Sequence, residues 1–522
     1  MTIPTPFTGS NGESGSASAL HSTGSDNRTS VHQHGEADDL ERLALGTLLP
    51  AFEGVRMPGW IETALRNGLA GVTLFGPNIV SDDQLRALTA ELRETGNPLI
   101  CLDEEGGDVT RISYRSGSRY PGNAALGVVN DTELTRTVYH AIGADLTRLG
   151  VNLNLAPCGD VNTEDENPVI GTRAFGTDPK LVARHTSAAI RGLQDAGVAA
   201  CVKHFPGHGA TRQDSHQVIP VVDADLGLLR ARELPPFRAA IDAGCAAVMT
   251  AHVRVPALTG DQPATLSTAA MRDLIRRELG FDGVVITDAL DMKAITESVG
   301  LTEGAVRSLD AGSDLLCLGP IPDEHDVAAI IDAIVGAVQH GRLSRARLEE
   351  SSARVARLRQ WLAGCETQPS SDQEIGIQAA RRALRADGQP SITGDPAATV
   401  LLELQSPPTI AVGEVPWGLS AIADELPSSV LRLDPSTSIV DTELSRLVDG
   451  RRPVVAVRDA HRNPAARDLV ERLMRLRPET ILIEMGLPIW RPTAGRSAYL
   501  ASYGASRANA RAAVEHLGLL PS

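Results

Sequence analysis

Eight short apolar runs, many rich in β-branched residues, alternate with amphipathic stretches between Leu43 and Gly319, and this rhythm limits the fold more than any other feature. The runs are "LALGTLLP" from Leu43, "GVTLFG" from Gly71, "PLICLD" from Pro98, "VNLNLAP" from Val151, "AACVKH" from Ala199, "AAVMTAH" from Ala246, "GVVITDA" from Gly283 and "DLLCLG" from Asp314. Between most of them the apolar period becomes helical. "SDDQLRALTAELRETG" opens on a Ser-Asp cap and ends on glycine, and "DTELTRTVYHAIGADLTRLG" and "STAAMRDLIRRELG" also close on glycine. Strands that are apolar throughout must be covered on both faces, which a parallel sheet wrapped by helices achieves. Eight such units predict a closed (β/α)₈ TIM barrel over residues 38–365. An open doubly wound sheet is the rival and accounts for eight near-regular units less well.

The chain is long enough for a second core: 522 residues, 42% of them hydrophobic, exceed one ordinary domain. After the eighth unit, "SRARLEESSARVARLRQWLAG" reads as a helix and the polar residues 366–377 as a linker. The α/β pattern restarts in "AATVLLEL", "RRPVVAVRD" and "ETILIEMG", so residues 378–522 are expected to form a smaller α/β domain; its sequence displays neither a glycine-rich phosphate fingerprint nor an obvious cluster of titratable groups. Residues 1–37, rich in Ser, Thr, Gly and Asn, are expected to be a disordered tail. They lack the basic start and apolar run of a secretory signal, and no stretch reaches the roughly 18 unbroken apolar residues of a membrane span. The expected compartment is the cytoplasm. A net charge of −16 argues against nucleic acid and anionic membranes as partners. Six cysteines stand singly, with no C-x-x-C pair, and read as buried reduced thiols.

In a (β/α)₈ barrel, chemistry sits where the chain leaves the C-terminal strand ends. There the sequence places "LDEEGGDVTR" after strand three, "KHFPGHGATRQDSH" after strand five, "TAH" after strand six and "TDALDM" after strand seven. His204 and His208 have the spacing of a helical zinc pair, but Pro206, Gly207 and Gly209 preclude the helix, so no metal is expected. The same glycines do not follow the P-loop spacing. Proton transfer fits better: Asp214, two residues before His216, would orient the imidazole and favour its protonated form. Asp288 would be the opposing group, with capping of the following helix as its alternative use. Lys203 and His204 read as site residues or as an ordinary strand end.

"KHFPGHG" followed by "DSH", with "LDEEGG", "GTRAFGTDP" and "GFDGVVITDALDM", resembles glycoside hydrolase family 3 in its β-N-acetylglucosaminidase branch. The resemblance covers the barrel, and more weakly the second domain of two-domain members. It implies Asp288 as nucleophile, His216 as acid/base with Asp214 as its partner, and Asp103, Arg111, Arg173, Lys203 and His204 as sugar-binding residues, with no cofactor and a small carbohydrate as substrate. Asp108 departs from the pattern, since many relatives carry a basic residue there; this predicts an altered entrance rather than altered chemistry. A retaining glycosidase needs its two groups about 5–5.5 Å apart, one ionised and one protonated. Lys203, Arg111 and Arg173 are expected to keep Asp288 ionised by pairing with it. An imidazole becomes neutral after giving up its proton, so phosphate is an alternative acceptor to water and a phosphorylase the runner-up. A β-glucosidase of the same family, a metal-dependent barrel hydrolase and a non-catalytic sugar-binding barrel are further alternatives. The scarcity of aromatics, 3% of residues, points to a short glycoside, with cell-wall muropeptides or chitin fragments as the implied setting.

Overall fold

The computed structural model describes residues 38–365, 374–388, 390–392, 398–493 and 498–521. Each of the eight apolar runs contains one strand: β1 Leu48–Leu49, β2 Gly71–Thr73, β3 Leu99–Leu102, β4 Leu153–Asn154, β5 Ala199–Phe205, β6 Ala247–Thr250, β7 Val284–Ile286 and β8 Leu316–Cys317. β2 to β7 pair in chain order as a parallel sheet, and β1 pairs with β8. The ring closes through a bridge between Ile286 and Leu315, and through the Thr73 N–H, which donates to the Pro50 carbonyl at 2.9 Å. The fold is a (β/α)₈ TIM barrel followed by a smaller α/β domain.

Alternation along the strands divides the core in two. One set of residues, including Leu99, Cys101, Cys201, Met249, Ile286 and Cys317, fills the barrel interior. Their neighbours, among them Ile100, Leu102, Val202, Val248 and Val285, pack outward against the helices. The helix Arg345–Ala363, started by Ser344 as the sequence suggests, adds Val355 and Leu358 to the interior cluster. Cys101, Cys158, Cys201, Cys245 and Cys317 are buried and none is bridged; Cys365 is half-buried. Among the described residues no helix is long and apolar enough to cross a membrane.

The start of β8 is tied to its neighbours by charge. Asp314 is fully buried, pairs with Arg276 at 2.5 Å and with Arg347, and accepts the Val285 N–H at 2.9 Å. It therefore joins β7, β8 and the closing helix at one point.

The expected tail and residues 366–373 of the expected linker lie outside the described residues. A helix over Ile375–Ala383 runs across position 378. Among the described residues the second domain holds six strands: β9 Arg385–Asp387, β10 Thr399–Leu404, β11 Val430–Leu433, β12 Arg452–Val457, β13 Ile481–Glu484 and β14 Tyr499–Ala501. Their order is β11-β10-β12-β13-β14-β9, parallel except for β9. Asp108 fastens this domain to the barrel: it accepts from the Ala505 N–H at 3.1 Å and the Thr172 hydroxyl at 2.7 Å, and pairs with Arg458 at 3.0 Å. The departure from the family pattern thus lies at the domain seam rather than at the mouth of the barrel, because its carboxylate is consumed by second-domain donors.

Removing one partner of a buried ion pair strands the others without compensation. Asp314→Ala is expected to lower stability by about 3–5 kcal/mol, read as a lower denaturant midpoint for barrel unfolding; a change below about 1 kcal/mol would show that the network is not needed for closure.

Candidate active site

A cavity of 420 Å³ opens at the C-terminal ends of the barrel strands, and Asp103, Arg111, Arg173, Lys203, His204, His216 and Asp288 all line it. Its construction starts at β3. Gly106 and Gly107, with φ of 72° and 63°, turn the chain sharply after Glu105. A side chain at Gly107 would meet the Gly122 Cα at 2.4 Å, so the sequence needs glycine there. The Glu104 carboxylate accepts from the Thr110 hydroxyl at 2.7 Å and from the N–H groups of Arg111 and Ile112 at 2.9 and 3.2 Å, which sends Arg111 back over the mouth. Burial pushes Glu104 up to about 7 against those donors.

The cations and carboxylates form one chain of contacts. Lys203 lies 2.6 Å from Asp103 and 2.8 Å from Glu105, and Glu105 forks onto Arg173 at 2.7 and 2.9 Å. Arg111 reaches Asp103 at 3.4 Å. Burial alone would raise the carboxyls; Lys203 and Arg111 hold Asp103 below its ordinary value, and Arg173 and Lys203 do the same for Glu105. The three cations therefore do not pair with Asp288, as the sequence reading expected, because Asp103 and Glu105 already occupy them.

Asp288 instead is surrounded by imidazoles. Its burial is overcome by His204, His252 and His216, which keep its pKa below the ordinary carboxylate value. Its Oδ1 accepts the Ala289 N–H at 2.8 Å. The next helix, Lys293–Thr296, has Met292 at its N-cap, so Asp288 does not serve as that cap. His252 is held by Thr265 at 2.8 Å and by the Ala289 carbonyl at 3.0 Å. Asp291 also lines the cavity; burial pushes it up to about 6, and it accepts the Ile321 N–H at 3.1 Å. Two carboxyls of one cavity are thus driven in opposite directions.

The "HFPGHGATRQDSH" segment leaves β5 and folds back on itself. His208 contacts the Thr211 hydroxyl at 2.8 Å and the Ser215 hydroxyl at 3.0 Å, which pins the middle of the Asp-Ser-His triplet. Asp214 Oδ1 then accepts the His216 N–H at 2.9 Å and lies 2.7 Å from its Nδ1. Asp214 itself faces a second cavity, on the far side of the loop. Burial would raise Asp214, but the His216 contact holds it below the ordinary value.

Further residues that sequence reasoning did not nominate, besides Glu105, His252 and Asp291, complete the site. Asp160, fully buried, lies 2.6 Å from His204 Nδ1 and accepts the His208 N–H at 2.6 Å. It sits beyond β4, where the strand-end rule would have found it. With Arg173 3.3 Å from Nε2, both nitrogens of His204 are engaged by protein while the ring faces the cavity. Phe75 and Tyr114 add aromatic walls. The second domain contributes Ile410, Ala411 and Gly413 to the lining, and the Arg111 guanidinium donates to the carbonyls of Ala411 at 2.9 Å and Val412 at 3.3 Å. Cys158, Asp160 and His204 bring potential metal-ligating atoms within 4.8 Å of one another. The Cys158 thiol, raised by burial and then by Asp160, donates to that carboxylate at 3.2 Å, which makes the trio a hydrogen-bonded support for His204.

Asp160 also yields a pH signature. Burial would raise it, but His204 and His208 lower it from 3.8 to about 2. A depressed carboxyl stabilises the fold above its unfolded pKa and loses that contribution as pH falls through the folded value. Asp160 should thus contribute about 2 kcal/mol above pH 4, disappearing towards pH 2. Denaturant midpoints of Asp160→Asn should be lower at neutral pH and flatter across that window; parallel wild-type and variant curves would refute the assignment.

The sequence profile described as "Glycosyl hydrolase family 3 N terminal domain" matches residues 60–358. Beta-hexosaminidase A of Pseudoalteromonas piscicida is 33% identical over 345 residues, 61% of this chain but 56% of that protein, so this chain spans little more than half of that relative's length. A beta-hexosaminidase of Nitrosomonas eutropha is 34% identical over 325 residues, covering 60% of this chain and 92% of its own. A solved family 3 beta-N-acetylglucosaminidase from a Paenibacillus species superposes with a TM-score of 0.82 at 32% identity, covering 92% of this chain and 97% of its own. The chain belongs to glycosyl hydrolase family 3, a family of enzymes that act on O-glycosyl compounds.

Proposed function

We propose that the protein is a retaining exo-β-N-acetylglucosaminidase that releases terminal N-acetylglucosamine from short glycosides such as muropeptides or chitin fragments. The reading is carried by one observation: a carboxylate kept ionised by its surroundings, Asp288, and an imidazole with one nitrogen committed to Asp214, His216, line the same cavity. Relatives named beta-hexosaminidase and beta-N-acetylglucosaminidase support the choice of sugar.

In the first step an Asp288 carboxylate oxygen attacks the anomeric carbon as the glycosidic C–O bond breaks. The departing oxygen keeps the bonding pair and takes the proton from His216 Nε2, the nitrogen not facing Asp214. In the second step His216 Nε2 accepts a proton from water, whose oxygen bonds the anomeric carbon and frees Asp288. Asp103, Arg111, Arg173, Lys203 and His204 hold the sugar hydroxyls; their mutual pairing fixes them before substrate arrives, so little reorganisation is needed. His216 is neutral after the first step and does not repel an anion, which favours phosphate as the second reading for the acceptor.

A slow 5-fluoro N-acetylglucosaminide, which keeps the 2-acetamido group, should label Asp288, and label on any other residue would overturn the mechanism. In the same assay nitrophenyl N-acetylglucosaminide should outpace nitrophenyl glucoside, with free sugar as product; a sugar 1-phosphate formed in phosphate buffer would assign a phosphorylase. His216→Ala should lose about 10²–10⁴-fold in kcat on alkyl glycosides and less on nitrophenyl ones, which need no proton to leave. Equal losses on both would remove His216 from the acid role.

A further inference from the structure

Asp291 is a carboxyl of the Asp288 cavity that neither step of the reaction employs, yet two loops are shaped around it. It follows Asp288 by three residues on the turn leaving β7. Across from it the chain leaves β8 through Gly319, whose φ is 82°. A side chain at Gly319 would meet the two Asp291 carboxylate oxygens at 2.0 and 2.3 Å, so this close approach requires glycine. Just beyond, the Ile321 N–H donates to Asp291 Oδ2 at 3.1 Å. The backbone after β8 therefore holds one carboxylate oxygen, and the group is in position before substrate arrives.

Its charge is uncompensated, unlike that of the carboxylates around it. Asp103 and Glu105 are paired with Lys203, Arg111 and Arg173, and Asp288 is surrounded by imidazoles. Asp291 makes no ion pair among the described residues; Lys293, the nearest cation along the chain, lies 3.8 Å from Glu297. Burial and the charge of Asp288 raise Asp291 to about 6, against the Ile321 N–H and His216. Once Asp288 is an ester it carries no charge, and that part of the rise goes with it. At neutral pH Asp291 is therefore an unpaired anion when the acceptor enters. His216, near enough to act on Asp291, is also the group that takes the acceptor's proton, so the acceptor comes within reach of this charge.

We propose that Asp291 is a specificity-determining residue for the second step, its carboxylate repelling anionic acceptors and admitting water and neutral or cationic hydroxyl compounds. The inference rests on the glycosidase reading and decides between its two acceptors in favour of water. In that step the acceptor oxygen bonds the anomeric carbon, its proton passes to His216 Nε2, and the ester C–O bond breaks with its electron pair returning to Asp288. An anion must bring its own charge towards Asp291 in a partly buried cavity, where repulsion is stronger than in bulk water. Water meets no such barrier. The neutral His216 removes one obstacle to phosphate, and Asp291 supplies another.

The test offers small alcohols of similar size and different charge, ethanolammonium, ethylene glycol and glycolate, during hydrolysis of nitrophenyl N-acetylglucosaminide, and measures the glycoside formed from each against free sugar. In the wild type, transfer should rank ethanolammonium above ethylene glycol and ethylene glycol above glycolate, and phosphate should lose to water. Asp291→Asn should shrink the ratio of ethylene glycol to glycolate transfer about tenfold, and Asp291→Glu should keep it near the wild-type value. The ratio is set within molecules that are already active, so partial misfolding does not move it; Asp291→Ser gives the same reading should Asp291→Asn not fold. Equal transfer to all the alcohols by the wild type, or a ratio unchanged in the uncharged variants, would overturn the proposal. Absence of any nitrophenyl N-acetylglucosaminide hydrolysis would instead sink the glycosidase reading.

Discussion

The buried row of alternating charges from Arg111 through Asp103, Lys203 and Glu105 to Arg173 is the constraint on which the rest of the mouth depends. Each of these groups is costly to bury alone and acceptable only because both neighbours are opposite in sign. The row joins β3, β5 and the turn at Gly171–Arg173. It also leaves no cation for Asp288, whose ionised state comes from a ring of imidazoles. The two halves of the site meet at His204, which contacts Arg173 of the row and acts on Asp288.

The second domain enters the site through its backbone more than through its side chains. Arg111 is aimed by two carbonyls of that domain, and Asp108 seals the seam a few residues away on the same turn. One short barrel segment, residues 103–111, thus reads both the sugar cavity and the domain interface. At this seam the acid at position 108 has the Arg458 guanidinium as its partner.

Much of the barrel was legible because strands buried on both faces write themselves as continuous apolar runs, and each of the eight runs contains a strand. In the second domain β10, β12 and β13 were legible for the same reason. β9, β11 and β14 were not singled out; β9 is exposed throughout and mostly charged, while β11 and β14 are apolar but too short to stand out. At the site, the strand-end rule brought out Lys203, His204, His216 and Asp288, and the family resemblance added Asp103, Arg111 and Arg173, yet ion pairing was not readable, since it depends on which side chains of β3 and β5 meet across the barrel. Asp160 was overlooked although it stands beyond a strand end like the others. Asp459 and Glu484, near the carboxyl ends of β12 and β13, are well separated in sequence and only the fold brings them together.

The grip of Arg111 on the Ala411 and Val412 carbonyls also bears on how molecules are exchanged. Swinging the two domains apart would tear those hydrogen bonds and expose the Asp108 pair at the same moment, so a hinge is an expensive gate. Traffic is cheaper past the lips of the mouth, where Ile321 and Ile410 stand 78% and 61% exposed. The buried charges of the cavity can thus stay paired while molecules come and go over an apolar rim.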